Sequence, residues 1–317
     1  MHSAYAAVLD HFFDDFFLVD RAAEAEVCMF CIRESFRLLG FKLDPDKSQP
    51  PAQVAHILGV VFCTEALASE RSFRVHAKPT RLANFEALVE SILARGALPP
   101  SLASSLLGKF GFLCSTLFGK LGRCCTGPLR ERQYSASSNS ALTEPMRQAL
   151  HLMCRLIRAA PPRGFRFDDH TRPLLLYTDA SDVPERVPRY IVGGVLVLPE
   201  QSPQYRHYSW EVPQAIVDRW LPKATYMNQL ETLAAPLALA TWSSELAGRD
   251  VLHFVDNDGA ASSLVKGFSP KQDTSALAGE YWVLAATRRI NLYIDRVESK
   301  SNLADGPSRQ EFAFVTR

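Results

Sequence analysis

The chain has no apolar run of eighteen residues, the length a bilayer-spanning helix requires, so no membrane span is expected. Its opening, MHSAYAAVLDHFFDD, has no basic flank and turns acidic where a signal-peptide cleavage site would fall. Net charge is only +1, so no global field draws the chain toward nucleic acid. Internal repeats are absent. The seven cysteines are irregularly spaced, and an odd number in a long chain fits reduced thiols better than a disulfide framework. An intracellular setting, cytoplasm or nucleus, is the expectation.

What is present is ordinary for a folded protein: 317 residues, 47% apolar and 22% charged, enough for two domains or three small ones. Charge is unevenly spread. Residues 71–135 carry ten Lys/Arg against three Glu, a composition suited to tracking a phosphate backbone and equally consistent with a solvated basic face.

Residues 20–40 read as a helix with Asp20 as N-cap and apolar Val27, Phe30, Cys31 and Leu38 at helical spacings. GFKLDPDKSQPP is a polar, Pro-rich turn. VAHILGVVF reads as one buried strand, with RSFRVH as its hairpin partner. Helices are expected over 80–94 and 101–119, each opening after proline. QYSASSNSALTEP is the best linker in the chain, and a further helix runs from Thr143 to about Ala160.

The last third changes character. PLLLYTDAS, RYIVGGVLVLP and YRHYSW read as three strands. A helix through NQLETLAAPLALATWSSEL follows, then strand VLHFVD, a short helix, the longer helix ALAGEYWVLAATRR, strand NLYIDRVE and a last short helix. That order predicts a mixed α/β sheet. Acidic residues fall at the ends of these elements: Asp179 ending the first strand, Glu231 in the first long helix, Asp256 ending the fourth strand and Asp305 opening the final helix. Such folds place their sites beyond the strand ends. Four convergent carboxylates cannot all stay ionised without a cation, and oxygen-only ligands favour Mg²⁺ or Mn²⁺ over zinc. Two such ions, roughly 3.5–4 Å apart, suit phosphodiester hydrolysis.

YTDAS, the Glu of QLETLAA, VDNDGAASSLVKG and SNLADGPSR resemble, in order, the landmarks of the ribonuclease H domain of retroelement reverse transcriptases. The spacings are 52, 25 and 49 residues. The first is long for that family, and SWEVPQAIVDRWLPKATYMN reads as an insertion that accounts for it. The resemblance implies two Mg²⁺ (or Mn²⁺) ions held by Asp179, Glu231, Asp256 and Asp305, and cleavage of the RNA strand of an RNA–DNA hybrid. In that scheme Asp179 and Asp256 contact both ions, while Glu231 and Asp305 complete one site each. Ser181 and Asn257 flank catalytic positions and would meet the RNA 2′-hydroxyl; Lys266, in VKGFS, would meet a substrate phosphate or be a solvated loop residue. Many ribonucleases H carry a histidine shortly before the last aspartate. None occurs between Asp256 and Asp305, which lowers the expected turnover.

With that anchor, FFDD resembles the Tyr-x-Asp-Asp hairpin of reverse transcriptases. Phe12 takes the tyrosine position, and Asp14 and Asp15 are the carboxylates. LLGFKLDPDKSQPP…HILGVVF resembles the end of a polymerase palm, with Lys47 where a lysine meets nucleotide phosphates, and the basic helical segment to about Arg132 resembles the thumb and connection. Wording is nearest to LTR and DIRS-like elements. Nucleotidyl transfer needs a third carboxylate from a strand upstream of the hairpin, and Asp10, on the same approach, is not in place for it. The fingers are missing too, so polymerase activity is expected to be lost.

The fold expected is therefore α/β (α+β): a truncated palm over residues 1–77, a helical basic thumb and connection over 78–134, a linker and helix over 135–170, and a ribonuclease H-like domain over 171–317 with a mixed five-stranded sheet flanked by helices. The expected partner is an RNA–DNA hybrid, with no membrane and no identified protein. The alternative function is a catalytically inactive, nucleic-acid-binding remnant or domesticated fragment. Weaker signals read as structure. Cys28 and Cys31 lie one helical turn apart and suit a core, Cys124 and Cys125 give no ligand geometry, Arg288 and Arg289 end a surface helix, and Trp210, Trp220, Trp242 and Trp282 are core aromatics.

Overall fold

A computed structural model describes residues 8–12, 15–137, 139–166, 172–183, 188–199 and 203–312. These divide into two compact units, one built from the described residues up to Pro79 with Arg163–Arg166, the other from Thr80–Pro162 and the described residues from 172 onward.

In the first unit, strands β1 (Val8–Phe12) and β2 (Asp15–Val19) pair antiparallel, with Phe12 opposite Asp15. Helix α1 (Ala25–Leu38) starts four residues later than expected. Its N-cap position is Glu24, while the Asp20 carboxylate accepts from the neighbouring Arg21 amide and so is spent in a local turn. The buried stripe also differs from the expected one. Cys28 and Ile32 are buried against Leu18 and Phe36, whereas Val27, Phe30 and Leu38 are exposed at 54%, 64% and 77%. Apolar residues lie on more than one side of α1, and those at Val27, Phe30 and Leu38 are left exposed.

VAHILGVVF is two strands rather than one. Strands β3 (Val54–Ile57) and β4 (Val60–Cys63) are joined by Leu58 and Gly59 with φ of 51° and 85°. Two successive positive φ angles make the tight hairpin turn that matches strand twist, and the glycine makes it accessible. After the single turn α2 (Leu67–Glu70), β5 (Ser72–Ala77) pairs antiparallel with β4, as RSFRVH suggested, and β6 (Arg163–Arg166) closes the four-stranded sheet β3-β4-β5-β6. Phe62, Phe73 and Phe165 stack across it.

The second unit opens with helices α3 (Pro79–Arg95), α4 (Pro100–Ser115), α5 (Gly127–Gln133) and α6 (Glu144–Ala159), each with proline in its first turn or immediately before it. Phe85, Ile92, Leu106, Phe110, Leu129, Leu150 and Met153 are fully or almost fully buried among them. The Ser-rich stretch suggested as a linker is hydrogen-bonded back onto this module. The Leu98 amide donates to the Ser140 carbonyl, and the buried Arg132 guanidinium donates to the carbonyls of Asn139 and Ala141.

The remaining strands are β7 (Leu174–Val183), β8 (Arg189–Leu198), β9 (Gln204–Glu211), β10 (Asp250–Val255) and β11 (Asn291–Arg296), in the order β11-β10-β7-β8-β9. β10 runs parallel to both β7 and β11, while β7, β8 and β9 form an antiparallel meander. This is the mixed five-stranded sheet the element order predicts. Its helices are α7 (Gln214–Val217), α8 (Met227–Thr241), α9 (Ser243–Leu246), α10 (Asp258–Lys266), α11 (Gln272–Arg288) and α12 (Asp305–Ser308). Small and apolar residues surround α8 on nearly all sides, so eight consecutive residues from Gln229 to Pro236 are buried between β7, β8 and α11.

The stretch read as an insertion contributes to this core. Its first three residues finish β9, Val212, Val217 and Trp220 join the cluster around Leu230 and Ala234, and the Leu221 amide donates to Asp273 on α11. Trp220, Trp242 and Trp282 are buried and Trp210 half-buried.

The helical module seats on α11 as well. The Trp282 ring fills the space beside Gly119, and Cys124 lies against Gly279. No helix is long and apolar enough to cross a membrane among the described residues.

Candidate metal centre

Three of the acidic residues singled out in sequence converge. One carboxylate oxygen from each of Asp179, Glu231 and Asp256 lies within 4.8 Å of the others. Asp256 follows the last residue of β10, as expected. Asp179 does not end its strand, because β7 continues to Val183 along β8. On its other side, pairing with β10 stops at Thr178, opposite Val255, so Asp179 is the first β7 residue to outrun the parallel pair. The site thus forms where β7 extends past its neighbour, and Glu231 reaches it from the first turns of buried α8.

Burial makes this arrangement costly without a cation. Desolvation, reinforced by the charges of Asp256 and Asp305, pushes the Asp179 carboxyl up to about 6, although the Ser308 hydroxyl and the Ala180 amide pull the other way. Desolvation, then the Asp179 and Asp256 charges, drives Glu231 up to about 10. Glu231 Oε2 and Asp256 Oδ1 are buried and make no hydrogen bond. Unpaired buried carboxylate oxygens facing one another fit a hard divalent ion, which all-oxygen donors also favour.

Asp305 is held differently. It opens α12 on the rim of the cluster, but its Oδ1 accepts from Arg309 Nε at 2.8 Å, and its side chain is 45% exposed. Ser181 donates its hydroxyl to the Ser308 carbonyl at 2.6 Å, which ties β7 to α12. Asn257 caps α10, its Oδ1 accepting from the Ala260 amide at 3.0 Å. Lys266 is exposed in the last turn of that helix.

Several contributors were not singled out in sequence. Ser308 is fully buried and donates its hydroxyl to Asp179 Oδ2 at 2.5 Å. Gly193 on β8 makes room for this contact: a Cβ there would sit 2.4 Å from the Ser308 nitrogen. The Asn302 side-chain amide donates to the Thr178 carbonyl at 3.1 Å. Fully buried His253 joins Thr178 Oγ1 at 2.9 Å to the Tyr281 hydroxyl at 2.7 Å, and burial lowers its pKa to about 3, so it is a neutral strut that ties β7 and β10 to α11. SNLADGPSR already contained Ser308, and the paired glycines of IVGGV were the available sign of a close backbone approach.

In the first unit, Asp14 lies outside the described residues, and Asp15 begins β2. Lys47 ends a short 3₁₀ turn, pairs with Asp44 at 3.8 Å and is 82% exposed. It lines a cavity of about 400 Å³ with Phe16, Leu18, Met29 and Phe36. Cys28 sits in the α1 core, Cys124 and Cys125 hold their sulfurs 3.9 Å apart, and Arg289 is the left-handed cap of α11.

No protein-family model and no curated protein sequence matches the chain. Among solved structures, it is similar to the N-terminal RNase H domain of a Mycobacterium tuberculosis protein, at 13% identity over 46% of this chain and 97% of that one, with a TM-score of 0.35. RNase H1 of the halophilic archaeon Halobacterium salinarum aligns at 18% identity over 44% of this chain and 99% of that one, TM-score 0.34. A foamy viral protease-reverse transcriptase in complex with double-stranded DNA aligns at 14% identity over 92% of this chain and 55% of that one, TM-score 0.40.

Proposed function

We propose that residues 171–317 form a metal-dependent endoribonuclease of the ribonuclease H type, which hydrolyses the RNA strand of RNA–DNA hybrids. On this reading residues 1–77 and 78–134 derive from the palm and from the thumb and connection of a retroelement reverse transcriptase. The observation that carries the reading is the convergence of Asp179, Glu231 and Asp256, two of them with buried oxygens that lack any partner. The ordered motifs YTDAS, QLETLAA, VDNDG and NLADGPSR on a mixed five-stranded sheet support it.

Divalent ions bound at such a cluster supply an activated water and stabilise the leaving oxygen. The chain's own residues do the rest. Asp179 on β7 and Asp256 just past the end of the parallel strand β10 set the spacing of the donors, and the buried Thr178–His253–Tyr281 contacts brace those strands. Glu231 closes the cluster from below. Ser308 orients Asp179 through its hydrogen bond. Asn257 stands at the edge where a ribose would lie, and Lys266 stands at the far end of α10, roughly 13 Å on, where it can meet a backbone phosphate. The hairpin at Phe12 and Asp15 has no part in this reaction.

The test is cleavage of a labelled RNA–DNA hybrid by the full chain in Mg²⁺ or Mn²⁺, beside Asp179→Asn. Metal-dependent cutting of the RNA strand by the wild type alone is expected. Equal activity in both proteins, or none in either, overturns the proposal. Hybrid binding that persists in EDTA, weakens with salt and yields no cleavage would favour a non-enzymatic nucleic-acid-binding protein instead.

A further inference from the structure

The fourth acidic residue of the site is already engaged by a cation from the chain itself. Arg309 follows Asp305 by one helical turn and donates from Nε to Asp305 Oδ1 at 2.8 Å. Ser308, the residue before Arg309, donates to Asp179 Oδ2, so Arg309 leaves the helix turn that borders the carboxylate cluster, and Asp305, then Asp179, hold its pKa above the ordinary value. Deeper in, Glu231 Oε2 and Asp256 Oδ1 remain buried and unpartnered, and Glu231 is only 4% exposed. Among the described residues no ion pair reaches Glu231 or Asp256, while Asp305 has Arg309.

A guanidinium held at Asp305 Oδ1 and a divalent ion at the same carboxylate are like charges a few ångströms apart, so each weakens the hold of the other. The Asp305–Arg309 pair is largely solvated, with side chains 45% and 61% exposed, so it is weak enough to be displaced.

We propose that Arg309 competes with divalent metal for the outer half of this centre. One ion binds at Asp179, Glu231 and Asp256, and a second reaches Asp305 only as the Arg309 guanidinium withdraws. The inference rests on the cluster being a cation site. It goes beyond that reading by making Arg309 a positioning residue that sets how many ions the chain holds without substrate.

The experiment counts bound Mn²⁺ on the full chain, free of nucleic acid, by calorimetric titration with electron paramagnetic resonance of the unbound ion. It compares wild type, Arg309→Met, Arg309→Gln, Arg309→Lys and Asp305→Asn. The exposed position of Arg309 leaves the core untouched, and a metal-free melting curve for each variant checks this. Removing the charge is expected to tighten the second ion about tenfold while leaving the first unchanged. Arg309→Lys keeps the charge and should titrate like wild type, which a purely structural role would not predict. Asp305→Asn should abolish the second ion.

An isotherm for Arg309→Met and Arg309→Gln that superimposes on wild type overturns the competition. It leaves the cation site standing, because the first ion is still counted. Absence of Mn²⁺ binding in every protein overturns the cation site and this inference with it.

Discussion

The first unit and the five-stranded domain carry comparable apolar material but bury it very differently. Between residues 8 and 79 the buried hydrophobic residues are Cys28, Ile32, Val61, Val75 and Ala77, while Leu9, Phe16, Val19, Val27, Phe30, Leu38, Leu39 and Phe41 are exposed among others. In the second unit, α8 alone buries ten of its fifteen residues. Small sheets joined by one helix lack the second layer that closes a core, whereas a sheet with a buried helix and the α11 layer behind it has one. In the second unit Asp179 is held by the Ser308 hydroxyl, and the strands leading to Asp179 and Asp256 are braced by the buried Thr178–His253–Tyr281 contacts, the kind of support that fixes side-chain geometry.

The largest expected effect sets the two acidic sites against each other. Glu231→Gln should reduce hybrid cleavage by about a thousandfold, because the deepest donor is lost, whereas Asp15→Asn should leave the rate unchanged. A single-turnover assay of both variants decides this, and a comparable loss in Asp15→Asn would break the contrast.

Next comes packing. Leu150→Ala, at a fully buried position, should cost about 3 kcal/mol of stability in denaturant unfolding. Leu38→Ala, at 77% exposure, should change it by no more than about 0.5 kcal/mol. Similar losses at both positions would mean that the first unit is covered by something in solution.

A third variant probes the floor of the site. Gly193→Ala drives a methyl group into the backbone of Pro307 and Ser308 and should cost about 2 kcal/mol. It should also weaken Mn²⁺ binding by releasing Ser308 from Asp179. Stability loss with unchanged metal affinity would separate α12 from the metal centre.

The smallest effect is on pH. Asp179 and Glu231 hold their protons to about 6 and about 10 in the metal-free fold, above the ordinary carboxyl values of 3.8 and 4.5. The native state therefore binds more protons than the unfolded chain above pH 4. Their contribution is fully present below the unfolded values and is lost as pH rises, through 6 for Asp179 and toward 10 for Glu231. Metal-free melting temperature should fall across that window, and Mn²⁺ should raise it more at pH 8 than at pH 5. A metal-induced shift independent of pH would contradict the protonation of the cluster.

Much of the C-terminal domain was legible because periodicity and element order are local properties. Three strands, a helix through NQLETLAA and the later alternation all appear where the patterns put them, and the carboxylates could be ranked by position within their elements. The N-terminal unit was less legible for physical reasons. VAHILGVVF is continuous in hydrophobicity, and only the positive φ at Leu58 and Gly59 breaks it into a hairpin. The α1 pattern has apolar residues on several sides, so periodicity could not say which side a partner covers. Ser308 and Gly193 act across 115 residues of sequence, and no local pattern encodes a contact between them.

The amino-acid sequence by itself determined which acidic residues were available, their order and the elements that carry them, because these follow from composition and short-range pattern. Tertiary structure decided which of them share a site. Parallel pairing of β7 with β10 stops at Thr178 and leaves Asp179 beside Asp256, and burial of α8 brings in Glu231. Asp305, at the start of α12, borders the cluster and pairs with Arg309. Distances between residues fifty positions apart depend on strand register and helix packing, and those exist only once the chain has folded.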